Sequence, residues 1–182
     1  MVVLLGWWLV SQQQTNQMHR RHSNHPDTRF THSSQTRQAF LEGALVNLLL
    51  GNTDNHAKNH GLLYHGARPQ LAPFYDIVPV LLDDQVTHQM SFKIGAAEMT
   101  DDITTEDIAR FLQDLGYRRM TPKLKSRLCE IVSALVARVP EMRGPGMKRL
   151  GDAIAEQARW LAPAIGCDDD IPERDLVIIN RP

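Results

Sequence analysis

The chain has 182 residues, 42% of them apolar and 23% charged, with a formal net charge of −1. That composition fits one globular domain, large enough to bury roughly 70% of its unfolded surface without disulfide or metal staples. A charge this close to zero excludes the general attraction that drives non-specific binding to nucleic acid or to an anionic membrane.

Charge is nevertheless unevenly placed. Residues 1–35 hold Arg20, Arg21 and Arg29 against Asp27, together with His19, His22, His25 and His32. The end of the chain is acidic, with Asp168, Asp169, Asp170, Glu173 and Asp175. Both ends read as solvated segments. The two cysteines, Cys129 and Cys167, form no CxxC pair and read as unpaired thiols in a reduced, cytoplasmic compartment, with Cys129 a packing residue.

In chain order, the opening "MVVLLGWWLV" is about half as long as the ~20 residues a membrane span needs. It has neither a basic n-region nor a cleavage site, so it reads as a packed strand or short helix, not a signal. Residues 11–35 lack an apolar period and are rich in Gln, Asn, Ser and His, so 1–35 reads as an irregular or partly disordered extension. A helix follows, with Phe40, Leu41, Ala44, Leu45, Leu48 and Leu49 on one stripe, Ser34 or Thr36 as cap, and Gly51 as stop.

Directly after that stop stands "GNTDNHAKNHGLL", from Gly51 to Leu63. Two short strands are expected next, near 60–64 and 70–75, with "HGARP" as the turn between them. Pro73 and Pro79 keep them short. "MSFKIG" reads as a further short strand. Helices then follow. "TTEDIARFLQDLG" carries threonine caps and stops near Gly116. "TPKLKSRLCEIVSALVARVP" has Thr121 at N-cap, Pro122 at N1 and Leu124, Leu128, Ile131, Leu135 and Val139 at helical spacing. A last helix spans about 146–161, with Met147, Leu150, Ile154 and Leu161 turned inward. The fold class is therefore mainly α with a small antiparallel β-hairpin. The core unit covers 36–165, with a loop at 51–59, a hairpin at 60–76, helices over 104–162 and an acidic tail at 166–182.

Two features carry chemistry. Asp76 sits in the apolar run "LAPFYDIVPV", where an ionised carboxylate needs a cation or other partner. It follows Asp54 by 22 residues with the hairpin between, and a hairpin brings its ends together. Asp54 precedes Asn59 by five residues, the spacing between the base Asp and the metal-binding Asn in a protein-kinase catalytic loop. Phosphoryl transfer needs such a set, because its loose transition state is stabilised mainly by positioning and charge neutralisation. A polar turn with short capping side chains explains the same loop without chemistry. A transition-metal site of Asp54, His56, His60 and Asp76, in a metal-dependent hydrolase, is the other chemical reading. His60 and His65 otherwise read as surface histidines.

Taken together, "GNTDNHAKNHGLL", "LAPFYDIVPV" and "MSFKIG" resemble the C-terminal lobe of HipA-type serine/threonine toxin kinases, over roughly residues 39–139. The most specific part is N-x-x-x-G-N-T-D-x-H-x-K-N, from Asn47 to Asn59. The resemblance implies the C-lobe of a protein-kinase-like fold and Mg²⁺- and ATP-dependent phosphorylation of a protein, such as an aminoacyl-tRNA synthetase. It also implies a DNA-binding antitoxin protein as partner, with no direct contact to nucleic acid or membrane. It puts Asp54 at the catalytic base and Asn59 and Asp76 at the Mg²⁺ ligands. His56 becomes the brace of the cofactor-side loop, and Lys58 a residue that faces phosphate or lies along the surface. No G-x-G-x-x-G or G-K-[ST] loop stands in the chain, so it reads as a truncated lobe lacking its nucleotide-covering half. The alternative is a catalytically degenerate lobe that binds an antitoxin-like partner or a separate N-lobe.

Overall fold

A computed structural model of the chain describes residues 34–65, 68–168, 170–172 and 179–182. The expectations for 1–33, and the tip of the hairpin turn, lie outside them. The elements are α1 (Ser34–Leu49), β1 (Leu62–His65), β2 (Arg68–Leu71), α2 (Thr105–Asp114), α3 (Pro122–Val136) and α4 (Pro145–Ile165). Single 3₁₀ turns stand at Ala57–Asn59, Val80–Leu82, Thr100–Asp102 and Val139–Glu141. The domain is mainly helical, as the sequence pattern implies.

Helix α1 is the core element. Phe40, Leu41, Ala44, Leu45, Leu48 and Leu49 are all buried and pack on Leu124, Leu128, Val132, Leu161 and Ile165 from the later helices. Each fully buried Leu or Phe contributes roughly 1.5–3 kcal/mol, so this packing holds α1 more firmly than helix propensity does. Arg127 of α3 clasps Glu42 of α1 with two nitrogens, at 2.9 and 3.0 Å. Helix α4 is buried on nearly every side from Gly151 to Ala158, and its small residues Ala153, Ala155 and Ala158 let neighbouring backbones approach. Its buried acids are answered on the same helix: Lys148 reaches Asp152 at 2.9 Å and Arg159 reaches Glu156 at 3.2 Å.

Caps define the later helices as expected. Thr104 and Asp107 form a reciprocal capping box at α2, and Thr121 accepts from the Leu124 N–H at the start of α3, where Pro122 occupies the first turn. Beyond those caps, several expectations need correction. Helix α1 starts at Ser34, inside the presumed extension. Strand β2 ends at Leu71, the Ala72 N–H adds one last bond to Gly61 C=O at 2.9 Å, and 73–79, bounded by Pro73 and Pro79, continues outside the ladder. "MSFKIG" forms no strand: Ile94 makes an isolated bridge with Ala97. Met147 lies 48% exposed because it sits in the first turn of α4, before that helix enters the bundle. In the acidic tail Asp168 and Asp170 are exposed, Asp169, Glu173 and Asp175 lie outside the described residues, and the last residues make contacts that the sequence did not announce. Asn180 and His88 exchange two hydrogen bonds, and Arg181 binds Asp101 at 2.7 Å and Asp102 at 3.0 Å.

The cysteines are the clearest correction. Cys129 on α3 and Cys167, just past α4, form a disulfide with Cα atoms 5.4 Å apart. Their separation of 38 residues hides the pairing from any local motif. It arises because α3 packs beside the end of α4. Cys129 also packs against the core, as a small apolar residue would. Closing a loop of this length stabilises by about 4 kcal/mol on the chain-entropy estimate. Urea denaturation with and without dithiothreitol, or of Cys129→Ser, should show a loss of up to that size. Two alkylatable thiols in the unreduced protein would contradict the pairing.

Candidate active site

The site begins where α1 ends. Gly51 adopts φ 74°, its N–H donates to Leu48 C=O and the Asn52 N–H donates to Asn47 C=O. This is a Schellman stop, whose left-handed residue glycine adopts at least cost. A side chain there would also press on Leu81, whose Cδ1 lies 3.0 Å from the position a Cβ would take. The chain therefore leaves the helix sharply, and 52–59 becomes a loop above the end of the core.

That loop is held from three directions. The Leu81 N–H donates to Gly51 C=O at 3.1 Å, and the Ser91 N–H to Thr53 C=O at 2.8 Å. The Tyr75 hydroxyl donates to Lys58 C=O. Within the loop, the His56 N–H and the Asn59 Nδ2 both donate to Asp54 C=O, at 2.7 and 3.3 Å. Asn52, Thr53, Asn55 and Asn59 are buried, while Asp54 and Lys58 are exposed. The loop backbone is thus held by Leu81, Ser91, Tyr75 and the buried amide of Asn59, and the Asp54 and Lys58 side chains are left facing out.

Asp54 Oδ1 accepts from the Ser91 hydroxyl at 3.1 Å. Asn59 spends its Nδ2 on the loop, which leaves its carbonyl oxygen as the unspent end of the amide. Asp76 is exposed and has φ 58°, the one positive value outside glycine among the described residues. Its segment meets the loop twice, through Tyr75 and through Asn52, whose Nδ2 donates to Asp76 C=O at 3.2 Å. The hairpin thus brings the Asp76 segment back to the Asp54–Asn59 loop. An amide oxygen and a carboxylate are the hard donors that suit Mg²⁺, an ion that keeps several waters and takes further ligands from substrate phosphates.

The His56 backbone N–H donates to Asp54 C=O, while its ring Nδ1 is buried without a hydrogen-bond partner. His60 corrects the expectation of a surface residue. It is 4% exposed and packs between Phe40, with centroids 4.9 Å apart, and Phe74, at 5.7 Å. Phe74 reaches in because residue 43 is glycine: a Cβ there would lie 1.9 Å from its ring. A ring wedged between two aromatics is not presented as a ligand. Among the described residues no group of three or more His, Cys, Asp and Glu side chains could hold a metal ion. The four-residue transition-metal site is thereby set aside.

Sequence reasoning overlooked two contributors: Ser91 lay in a segment read as a strand, and Tyr75 counted only as apolar. Asn52 stood in the motif N-x-x-x-G-N-T-D-x-H-x-K-N, but its bond to Asp76 C=O did not.

The fold, mainly helical with one small hairpin, is similar to the C-lobe of a protein-kinase-like domain. Residues 11–142 match the HipA-like C-terminal domain family, and the chain belongs to that family. The match reaches back into the stretch read as an irregular extension. Y4mE of Sinorhizobium fredii is 29% identical over 104 residues, 56% of this chain and 24% of that protein. The serine/threonine-protein kinase toxin HipA of Shewanella oneidensis is 31% identical over 83 residues, 46% of this chain and 19% of that protein. The solved complex of Shewanella oneidensis HipA, HipB and operator DNA holds a chain with the same fold. Its TM-score is 0.53 at 27% identity, covering 71% of this chain and 30% of that one. The chain therefore spans less than a third of these relatives.

The buried histidine yields a pH dependence. Burial, and secondarily the charge of His56, lower the His60 pKa from 6.5 to about 4. Between those values the unfolded chain binds a proton that the folded one refuses, so stability falls as pH falls through that window. The loss is about 3 kcal/mol at roughly 1.4 kcal/mol per unit. Urea titrations at pH 7 and pH 4.5 should show the wild type losing more stability than His60→Phe. Equal losses would contradict the neutral, buried ring.

Proposed function

We propose that this chain is the catalytic C-lobe of a HipA-like serine/threonine kinase that transfers a phosphoryl group from Mg-ATP to a protein. The carrying observation is the return of the Asp76 segment onto the Asp54–Asn59 loop, through the Tyr75 and Asn52 hydrogen bonds. Asp54 is the base: the acceptor hydroxyl oxygen attacks the γ-phosphorus, the bond to the ADP oxygen breaks, and the hydroxyl proton goes to the Asp54 carboxylate. The Ser91 hydroxyl holds one oxygen of that carboxylate and leaves the other for the acceptor. Asn59 and Asp76 would hold Mg²⁺, which neutralises phosphate charge when bound. Lys58, exposed at the loop edge, faces the phosphates.

A second reading rests on the surface around Asp76. Tyr75 is 48% exposed, Ile77 39% and Val78 50%. This apolar strip suits a lobe that binds a separate nucleotide-covering lobe or an antitoxin-like protein, with catalysis dependent on that partner. The proposed substrate is a translation component such as an aminoacyl-tRNA synthetase, and the proposed setting is the cytoplasm. No helix among the described residues is long and apolar enough to cross a membrane. In a reducing compartment the Cys129–Cys167 bond would be open.

Millimolar Mg-ATP should raise the melting temperature, and Asp76→Ala should abolish the rise. Asp54→Ala should keep it, yet lose about 10²–10⁴-fold in turnover measured with an upstream lobe supplied in trans. Absence of any shift in the wild type would rule out nucleotide binding by this chain alone.

A further inference from the structure

The Schellman stop of α1 carries an unusual pair. The residues at its two contact positions, the third from the helix end and the one directly after the glycine, frequently touch through apolar side chains. Here they are Asn47 and Asn52, 2% and 3% exposed. Asn47 Nδ2 donates back to Gly43 C=O at 2.9 Å, which turns its Oδ1 toward Asn52. Asn52 Nδ2 donates to that Oδ1 at 2.7 Å and to Asp76 C=O at 3.2 Å. One line of hydrogen bonds thus runs from the α1 backbone, through two buried amides, to the backbone of Asp76.

Its end point is the described non-glycine residue held at positive φ, 58°. Such a conformation costs energy and persists only where surrounding contacts over-determine it. Holding the Asp76 carbonyl fixes the peptide plane that follows and, with φ, the direction in which the exposed carboxylate leaves the backbone. We infer that Asn52, anchored by Asn47, is a positioning residue that presets the Asp76 carboxylate for a divalent cation before the ion arrives. The inference rests on the reading of Asp76 as a metal ligand. It adds an element that spacing of acids alone does not contain: partners that orient a ligand commonly carry 10–100-fold of metal affinity.

The test uses the whole chain and Mn²⁺, a paramagnetic ion that also takes oxygen donors, titrated by electron paramagnetic resonance. Asp76→Asn should abolish specific binding. Asn52→Ala and Asn52→Asp should each weaken it by about 10–100-fold. Thr104→Ala, which removes a helix cap remote in sequence from the site, should change it by less than about twofold, separating positioning from general destabilisation. A wild type without Mn²⁺ binding overturns the metal reading itself. Binding that is lost in Asp76→Asn but unchanged in both Asn52 variants overturns this inference and leaves that reading standing. Should the variants fail to fold, the intraresidue amide–α-proton nuclear Overhauser effect of Asp76 in the wild type, strong only at positive φ, decides. Asp76 should hold positive φ both without and with Mg²⁺, and a φ that turns positive only when Mg²⁺ is added would show that nothing is preset.

Discussion

Everything at the site depends on how helix α1 ends. A helix leaves its last carbonyls unpaired, and this one closes them with a left-handed glycine and two backward hydrogen bonds. The stop must fall at Gly51 because the buried stripe from Phe40 to Leu49 fixes the rotation and depth of the helix in the bundle. Loop 52–59 then begins at a defined point and heading. Leu81, Ser91 and Tyr75 close on its backbone from sequence positions far downstream. The exposed carboxylates of Asp54 and Asp76 are thus carried by segments held by the backbone N–H groups of Leu81 and Ser91, the Tyr75 hydroxyl and the buried amides of Asn52 and Asn59.

The division of labour follows from cost. Burying a carboxylate without a partner is expensive, whereas an amide can be buried with its hydrogen bonds made. Accordingly, Asn47, Asn52, Asn55 and Asn59 lie inside, and Asp54, Lys58 and Asp76 lie at the surface. His60 fits the same logic as a neutral ring between Phe40 and Phe74, in the space that Gly43 leaves open. The polarity of the motif therefore serves two purposes. Its amides build the loop, and its charges are available for chemistry.

Much of this was legible in the sequence because it is local. The apolar period of α1, the glycine stop, the threonine caps and the proline at the first turn of α3 each act within a few residues. The Asp54–Asn59 spacing and the hairpin before Asp76 are local in the same sense. What was not legible depends on packing between distant segments. Cys129 and Cys167 meet only because α3 lies beside the end of α4. Ser91 reaches Asp54 across 37 positions. Asn180 and Arg181 tie the chain end to His88, Asp101 and Asp102. His60 looked like a surface residue because nothing nearby in sequence shows that two aromatic rings enclose it. "MSFKIG" looked like a strand by composition, yet among the described residues no neighbouring strand completes a ladder with it.

The family assignment gives this arrangement its meaning, and the central claim is that one face of the Asp54–Asn59 loop and Asp76 together receive Mg-ATP. Backbone amide spectra recorded while Mn-ATP is titrated in trace amounts test that claim most directly. The account predicts that the resonances of Asn59, Asp76 and Ile77 broaden first, while those of α2 and α3 stay sharp. Broadening centred elsewhere, or none at millimolar concentration, would contradict it.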